Sequence, residues 1–143
     1  MIHLQDVKYT SLLSARSITS GTSITATADC IGAKYATIVI SLDTAATGSV
    51  LDDLQLLEGD TTSAYTSIAA FLGGTAFAFP VPNTNTPDFI VFGVDLKKRK
   101  RYLKLSISPT VGARIGSAFA ILSRCEQSPD TAAKAGATCW VVG

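Results

Sequence analysis

The residues best equipped for chemistry in this sequence are five consecutive bases, Lys97, Lys98, Arg99, Lys100 and Arg101. Segment 95–108, DLKKRKRYLKLSIS, holds half of the basic side chains of the chain. Guanidinium and ammonium groups at this density bind carboxylates or phosphates. Three roles compete. One is a solvated turn whose charges guard strand edges against wrong pairing. Another is a contact with an acidic patch on a neighbouring protein. The third, a nucleic-acid contact, asks for aromatics between the charges or a basic face wider than one turn. Tyr102 is the only aromatic within reach, and Lys8, Arg16, Lys34, Arg114, Arg124 and Lys134 are scattered. Nucleic acid is therefore not an expected partner.

Other chemistry is hard to assemble. His3 is the single histidine, so a Ser-His-Asp or Cys-His set has one possible base, two residues from the start. Cys30, Cys125 and Cys139 form no CxxC pair, and one histidine does not complete a zinc site of usual spacing. Their small or apolar neighbours suit buried free thiols. Asp52, Asp53, Glu58 and Asp60 lack the alternate oxygen spacing of an EF-hand loop. Gly112 and Gly116 are not followed by the Lys-Ser or Lys-Thr pair of a phosphate cradle. The expectation is a protein that is not an enzyme, with no metal and no cofactor.

The elements that must carry these residues are strands. TSITATAD alternates, with Ile24, Ala26 and Ala28 on one face and Thr25 and Thr27 on the other. In KYATIVISLD, consecutive Ile38, Val39 and Ile40 predict burial on both faces. Residues 53–57 suit a strand, and DTTSAYTSIAAFLGG, 60–74, either a strand or a short helix. Residues 73–89 hold Gly73, Gly74, Pro80, Pro82 and Pro87, which predicts an irregular connection with one short strand at 75–79. DFIVFGVDL, RYLKLSIS and IGSAFAILS are further strands, so the basic run lies in a hairpin turn or a corner between two of them. Leu103, Leu105 and Ile107 then face the core. ATCWVVG predicts a closing strand, with Trp140 either docked in the sheet or offered to a partner. Seven to nine short strands at about ten-residue spacing predict an all-β fold, an antiparallel β-sandwich or jelly roll.

At 143 residues one domain is expected, with residues 1–20 as an N-terminal arm and 21–143 as a single β-sandwich domain. Charged residues are 16% of the chain, well under the usual share of about 25%, which suits a surface that meets other proteins. Residues 1–60 are acidic in balance and the remainder basic. A subunit polarised in this way can attract copies of itself. MIHLQDVKYT has no basic region followed by an apolar stretch, and no run nears the ~18 apolar residues of a membrane span. Synthesis in the cytoplasm and no membrane partner are expected.

VFGVDLKKRKRYLKLSISPTVGARIGSAFAILS resembles the closing half of the small cement, or decoration, proteins on the heads of tailed bacteriophages. In that family a basic turn leads into a strand similar to Arg101-Tyr102-Leu103-Lys104-Leu105. A small-residue turn follows, here Pro109 to Gly112, and then a strand, here Ile115 to Leu122. AKYATIVISLDTAATG and LQLLEGD resemble parts of the first half, so the likeness spans about residues 20–124. The resemblance implies a jelly roll on the outer surface of the capsid, bound to the major capsid protein as a homodimer or homotrimer and bridging neighbouring capsomers. Lys97 to Arg101 would then face an acidic surface of the capsid or of a neighbouring subunit. The alternative is a carbohydrate-binding or adhesin module of jelly-roll type on a phage tail or host surface, with Trp140, Tyr35 and Tyr65 as its few candidate aromatics.

Overall fold

The computed structural model describes residues 6–46, 48–125 and 133–137. Eight strands follow in order: β1 (Val7–Thr19), β2 (Ile24–Asp29), β3 (Tyr35–Leu42), β4 (Leu51–Gly59), β5 (Thr66–Leu72), β6 (Asp88–Asp95), β7 (Tyr102–Pro109) and β8 (Ala113–Ser123). They form two antiparallel four-stranded sheets. The first has the order β1-β8-β3-β6 and the second β2-β7-β4-β5. Consecutive strands mostly lie in opposite sheets, which is the double Greek-key wiring of a jelly roll.

Alternation explains why the sheets face each other. Ala36, Ile38, Ile40 and Leu42 of β3 are buried, as are Phe92 and Val94 of β6 and Ala118, Ala120 and Leu122 of β8. The second sheet answers with Leu54 and Leu56 of β4 and Leu103, Leu105 and Ile107 of β7. Burying each Leu or Ile is worth about 1.5–3 kcal/mol, so these residues set the register of both sheets. The expected core face of 103, 105 and 107 and the strand at 53–57 are observed. Residues 66–72 form a strand, not a helix.

Two expectations are corrected. Residues 7–19 are not an arm: β1 is the longest strand, pairs with β8 from Val7 to Thr19, and buries Leu13 and Ile18. Register shifts between Ser11 and Leu13 and between Leu13 and Arg16 break its alternation, so its sequence hides the strand. Residues 75–79 form no strand. Gly74 takes a positive φ, and Phe77 is joined to Gly73 by an isolated bridge while its ring packs edge-on to Phe92. Of the two placements expected for the basic run, hairpin turn or corner, the corner is the one observed, because β6 and β7 lie in different sheets. The predicted closing strand around Trp140 lies outside the described residues, as do His3 and Cys139.

One charge sits in the apolar interior. The Arg114 side chain is 1% exposed. It donates to the Asp88 carboxylate at 2.9 Å and to the backbone oxygen of Asp43. Arg114→Met should destabilise the fold by about 3 kcal/mol in urea denaturation, because Asp88 would stay buried without its counter-charge. A change under 1 kcal/mol would show that the tie is dispensable.

Candidate functional site

The basic corner begins where β6 ends. Asp95 accepts a hydrogen bond from the Lys97 backbone N–H at 3.0 Å and so caps a single 3₁₀ turn over Leu96–Lys98. Leu96 is buried and anchors the turn. The side chains that follow point to acids brought from the first half of the chain. Arg99 reaches Glu58 at 3.4 Å, Lys100 reaches Asp60 at 3.6 Å, and Arg101 grips both oxygens of Asp29 at 2.9 and 2.8 Å. Lys97 lies 5.5 Å from the centre of the Tyr35 ring. Only Lys98 of the five has no such intrachain partner among the described residues, and it is exposed.

This arrangement removes most of the expected polarity. The acidic first half and the basic second half fold against each other, and Asp29, Glu58 and Asp60 screen the run locally. Lys100–Asp60 and Arg101–Asp29 are in solvent reach and Arg99–Glu58 is half-buried, so each adds little to stability. What they do is order the corner. The Arg101 hydrogen bonds are the main cause holding the Asp29 carboxyl below its ordinary value, against the opposing effect of burial.

The two outer sheet faces differ sharply. The second sheet presents polar groups: Asp53 accepts from Ser23 at 2.7 Å, from Gln55 at 2.9 Å and from Ser106, while Gln55 accepts from Ser67 at 2.7 Å. Its aromatic ring at Tyr65 lies under Lys104, at 4.8 Å. Tyr35, by the corner, has both Lys97 and Arg124 against its ring. Neither tyrosine offers a bare stacking platform.

The first sheet presents apolar groups. Phe89 is 70% exposed, Val91 51%, Ile115 56% and Phe119 42%. Strand register aligns them. Val91 is opposite Val39, and Val39 is opposite Phe119, which makes one row across three strands. The rows on either side hold Phe89, Ser41 and Ser117, and Gly93, Thr37 and Ile121. No charged side chain stands in these nine positions. A shallow cleft of about 220 Å³ borders this face, lined by Ala15, Ser41, Asp43, Pro87, Ile115 and Ser117.

Sequence reasoning missed this face. The alternation of Phe89, Val91 and Gly93 against Ile90, Phe92 and Val94 was visible, but both sets are apolar. Only the topology decides which set points inward. No cluster of three His, Cys, Asp or Glu side chains suited to a metal is found among the described residues. Cys30 is buried, and burial pushes its thiol up to about 11, away from nucleophilic use. Cys125 is a free, half-buried thiol.

No family model matches the chain, and no curated protein matches it in sequence. Its fold is similar to that in a crystal structure of the Clostridium thermocellum N-terminal endo-1,4-β-D-xylanase 10B, comprising CBM22-1 and GH10 modules complexed with xylohexaose. The TM-score is 0.50 and the identity 11%. The match covers 91% of this chain and 28% of that one, so this chain is the size of one part of a longer protein. At that identity the likeness is one of fold.

The corner yields a pH test. A carboxyl whose folded pKa is lowered adds stability above its ordinary value of 3.8 and loses it as pH falls through the lowered one. Arg101→Gln should let the Asp29 carboxyl titrate higher by NMR. The stability gap between wild type and variant should be open at neutral pH and close in acid. An unmoved Asp29 titration would mean that Arg101 does not hold it.

Proposed function

We propose that this chain is a non-enzymatic structural protein of a virion, binding the outer surface of a phage capsid and cementing neighbouring capsomers. The observation that carries the reading is the outer face of the first sheet. Several large apolar side chains exposed side by side, here Phe89, Val91 and Phe119, are unusual on a soluble protein, and large contiguous patches of this kind mark contact sites for other macromolecules. A sugar would need hydrogen-bond partners along such a face, whereas a protein surface with apolar side chains would not. The sequence resemblance to cement proteins points the same way, while the wiring of the strands is common to viral coat and lectin domains and favours neither.

The basic corner has a secondary place in this reading. Most of its charges are already paired, so Lys98 is the member most available to an acidic patch. Many identical sites on one shell would let modest contacts per copy add up.

The second reading is a carbohydrate-binding module. The fold likeness to a xylanase chain holding a CBM22 module favours it, together with the polar face of the second sheet. Its weakness is the cation lying over Tyr65 and the two beside Tyr35.

Heads assembled without this protein provide the test. Wild-type protein should decorate them, Phe119→Glu should lower occupancy at least tenfold, and Lys98→Glu should do so less. Undiminished occupancy by Phe119→Glu would overturn the assigned face. Binding of xylohexaose, with no binding to heads, would favour the second reading.

A further inference from the structure

Each sheet has two edges, and proteins guard such edges against pairing with other chains. β1 is guarded by two register shifts, by Lys8 and Arg16, and by a hydrogen bond from the Tyr9 N–H to the oxygen of Ala135. β5 is short and shifts register against β4. β2 has six residues and carries alternating threonines. β6 has none of these devices. It pairs with β3 without a break over all eight residues. Between Asp88 and Asp95 it has no charge and no proline. Its outer backbone groups receive no hydrogen bond from the described residues.

We infer that β6 is a self-pairing edge, at which two copies of this chain join antiparallel about a two-fold axis through Val91 into one eight-stranded sheet. A two-fold axis perpendicular to the sheet keeps outer residues opposite outer residues. Centred on Val91, it sets Phe89 of each copy directly opposite Gly93 of the other. The fit is that of a knob and a hole. Phe89 is 70% exposed, while nothing lies within 4 Å of the position a Cβ would take on Gly93. An aromatic ring laid over a strand glycine covers its bare backbone, a known device in sheets.

The other registers fit less well. Centred on Phe92, Phe89 would face Asp95 of the second copy. Centred on Ile90, Phe89 would face Val91 and leave Gly93 uncovered. The Val91 centre also places Asp95 opposite Pro87 and Asp88 opposite Val94, so no like charges meet. A second copy is therefore the occupant that this edge fits, in shape and in charge. An extended segment of another protein would share only the backbone pairing.

Pairing in this way would make the two apolar outer faces continuous, with Phe89, Val91 and Phe119 of both copies on one surface. The inference deepens the cement reading and rests on it for the use of that surface. The edge geometry itself stands apart from it.

Light scattering and cross-linking of the full chain test the pairing. Wild type should have twice the 14.9 kDa mass of the chain. Val91→Lys would bring two ammonium groups to the axis, with Cβ atoms about 5 Å apart, and should halve the measured mass. Val91 is exposed, so the fold should survive, and circular dichroism would check it. Val91→Cys should form a disulfide-linked dimer on oxidation that wild type, with its native cysteines, does not form. A monomeric wild type overturns the inference, and so does a dimer that survives Val91→Lys and gives no Val91→Cys cross-link. A dimer that passes both tests yet does not decorate heads keeps the edge and sinks the cement reading.

Discussion

The first sheet depends on a single buried guanidinium. Arg114 ties β8 to the start of β6 through Asp88 and to the end of β3 through the Asp43 oxygen. A buried charge is costly unless paired, so the three elements are bound to one another at this end. Inward aim of Arg114 fixes the outward aim of Ile115, its neighbour on β8. Inward aim of Asp88 fixes that of Phe89. The ion pair thus sits in the same register that the buried Ile38, Ile40, Phe92 and Leu122 impose, and that register turns Phe89 and Ile115 outward. An apolar pair at 88 and 114 would hold the sheets by packing, but it would specify the strand ends less sharply.

The corner at 95–101 works on a different principle. Its charges meet acids at the surface, where solvent weakens each pair. The corner has to bring the chain from one sheet to the other within a few residues, and the Asp95 cap, the buried Leu96 and the grip of Arg101 on Asp29 together fix that passage. The bases thereby serve the fold first. Their density in the sequence left a solvated turn, a clamp on an acidic partner and a nucleic-acid contact in competition, yet Arg99, Lys100 and Arg101 each find an acid from the other half of the chain. Such pairs form only after the strands are wired, which is why linear charge runs overstate surface potential.

The fold class was legible because most strands alternate in the sequence. Ile24 to Ala28 and Leu103 to Ile107 show a period of two, and β-branched runs mark β3. The places where reading failed share one cause. β1 carries two register shifts, so its buried Leu13 and Ile18 fall out of phase and a strand looked like an arm. At 75–79 a short strand was expected inside an irregular connection, but Gly73 and Gly74 bend the chain and Phe77 turns in against Phe92. Hairpin and corner both stayed open for 95–101, because local sequence does not say which sheet a strand joins. In each case the missing information was a contact between residues distant in the chain.

The same limit explains why the apolar face stayed hidden. β6 is apolar on both faces, the pattern of a strand buried on both sides, yet it is an edge strand with one neighbour. An ordinary edge would spend charge or a bulge to stay unpaired, and the other edge of the same sheet does both. Leaving β6 unbroken, without charge between its terminal aspartates and lined with Phe89 and Val91 is a hazard for a solitary protein. It is no hazard if the edge is covered in the working state. Gly93 sharpens the argument, since glycine weakens a strand interior and is kept where backbone or ring must approach closely. Here the approaching ring is supplied by the strand's own Phe89, four residues away, which cannot reach Gly93 along one chain but meets it across a two-fold axis.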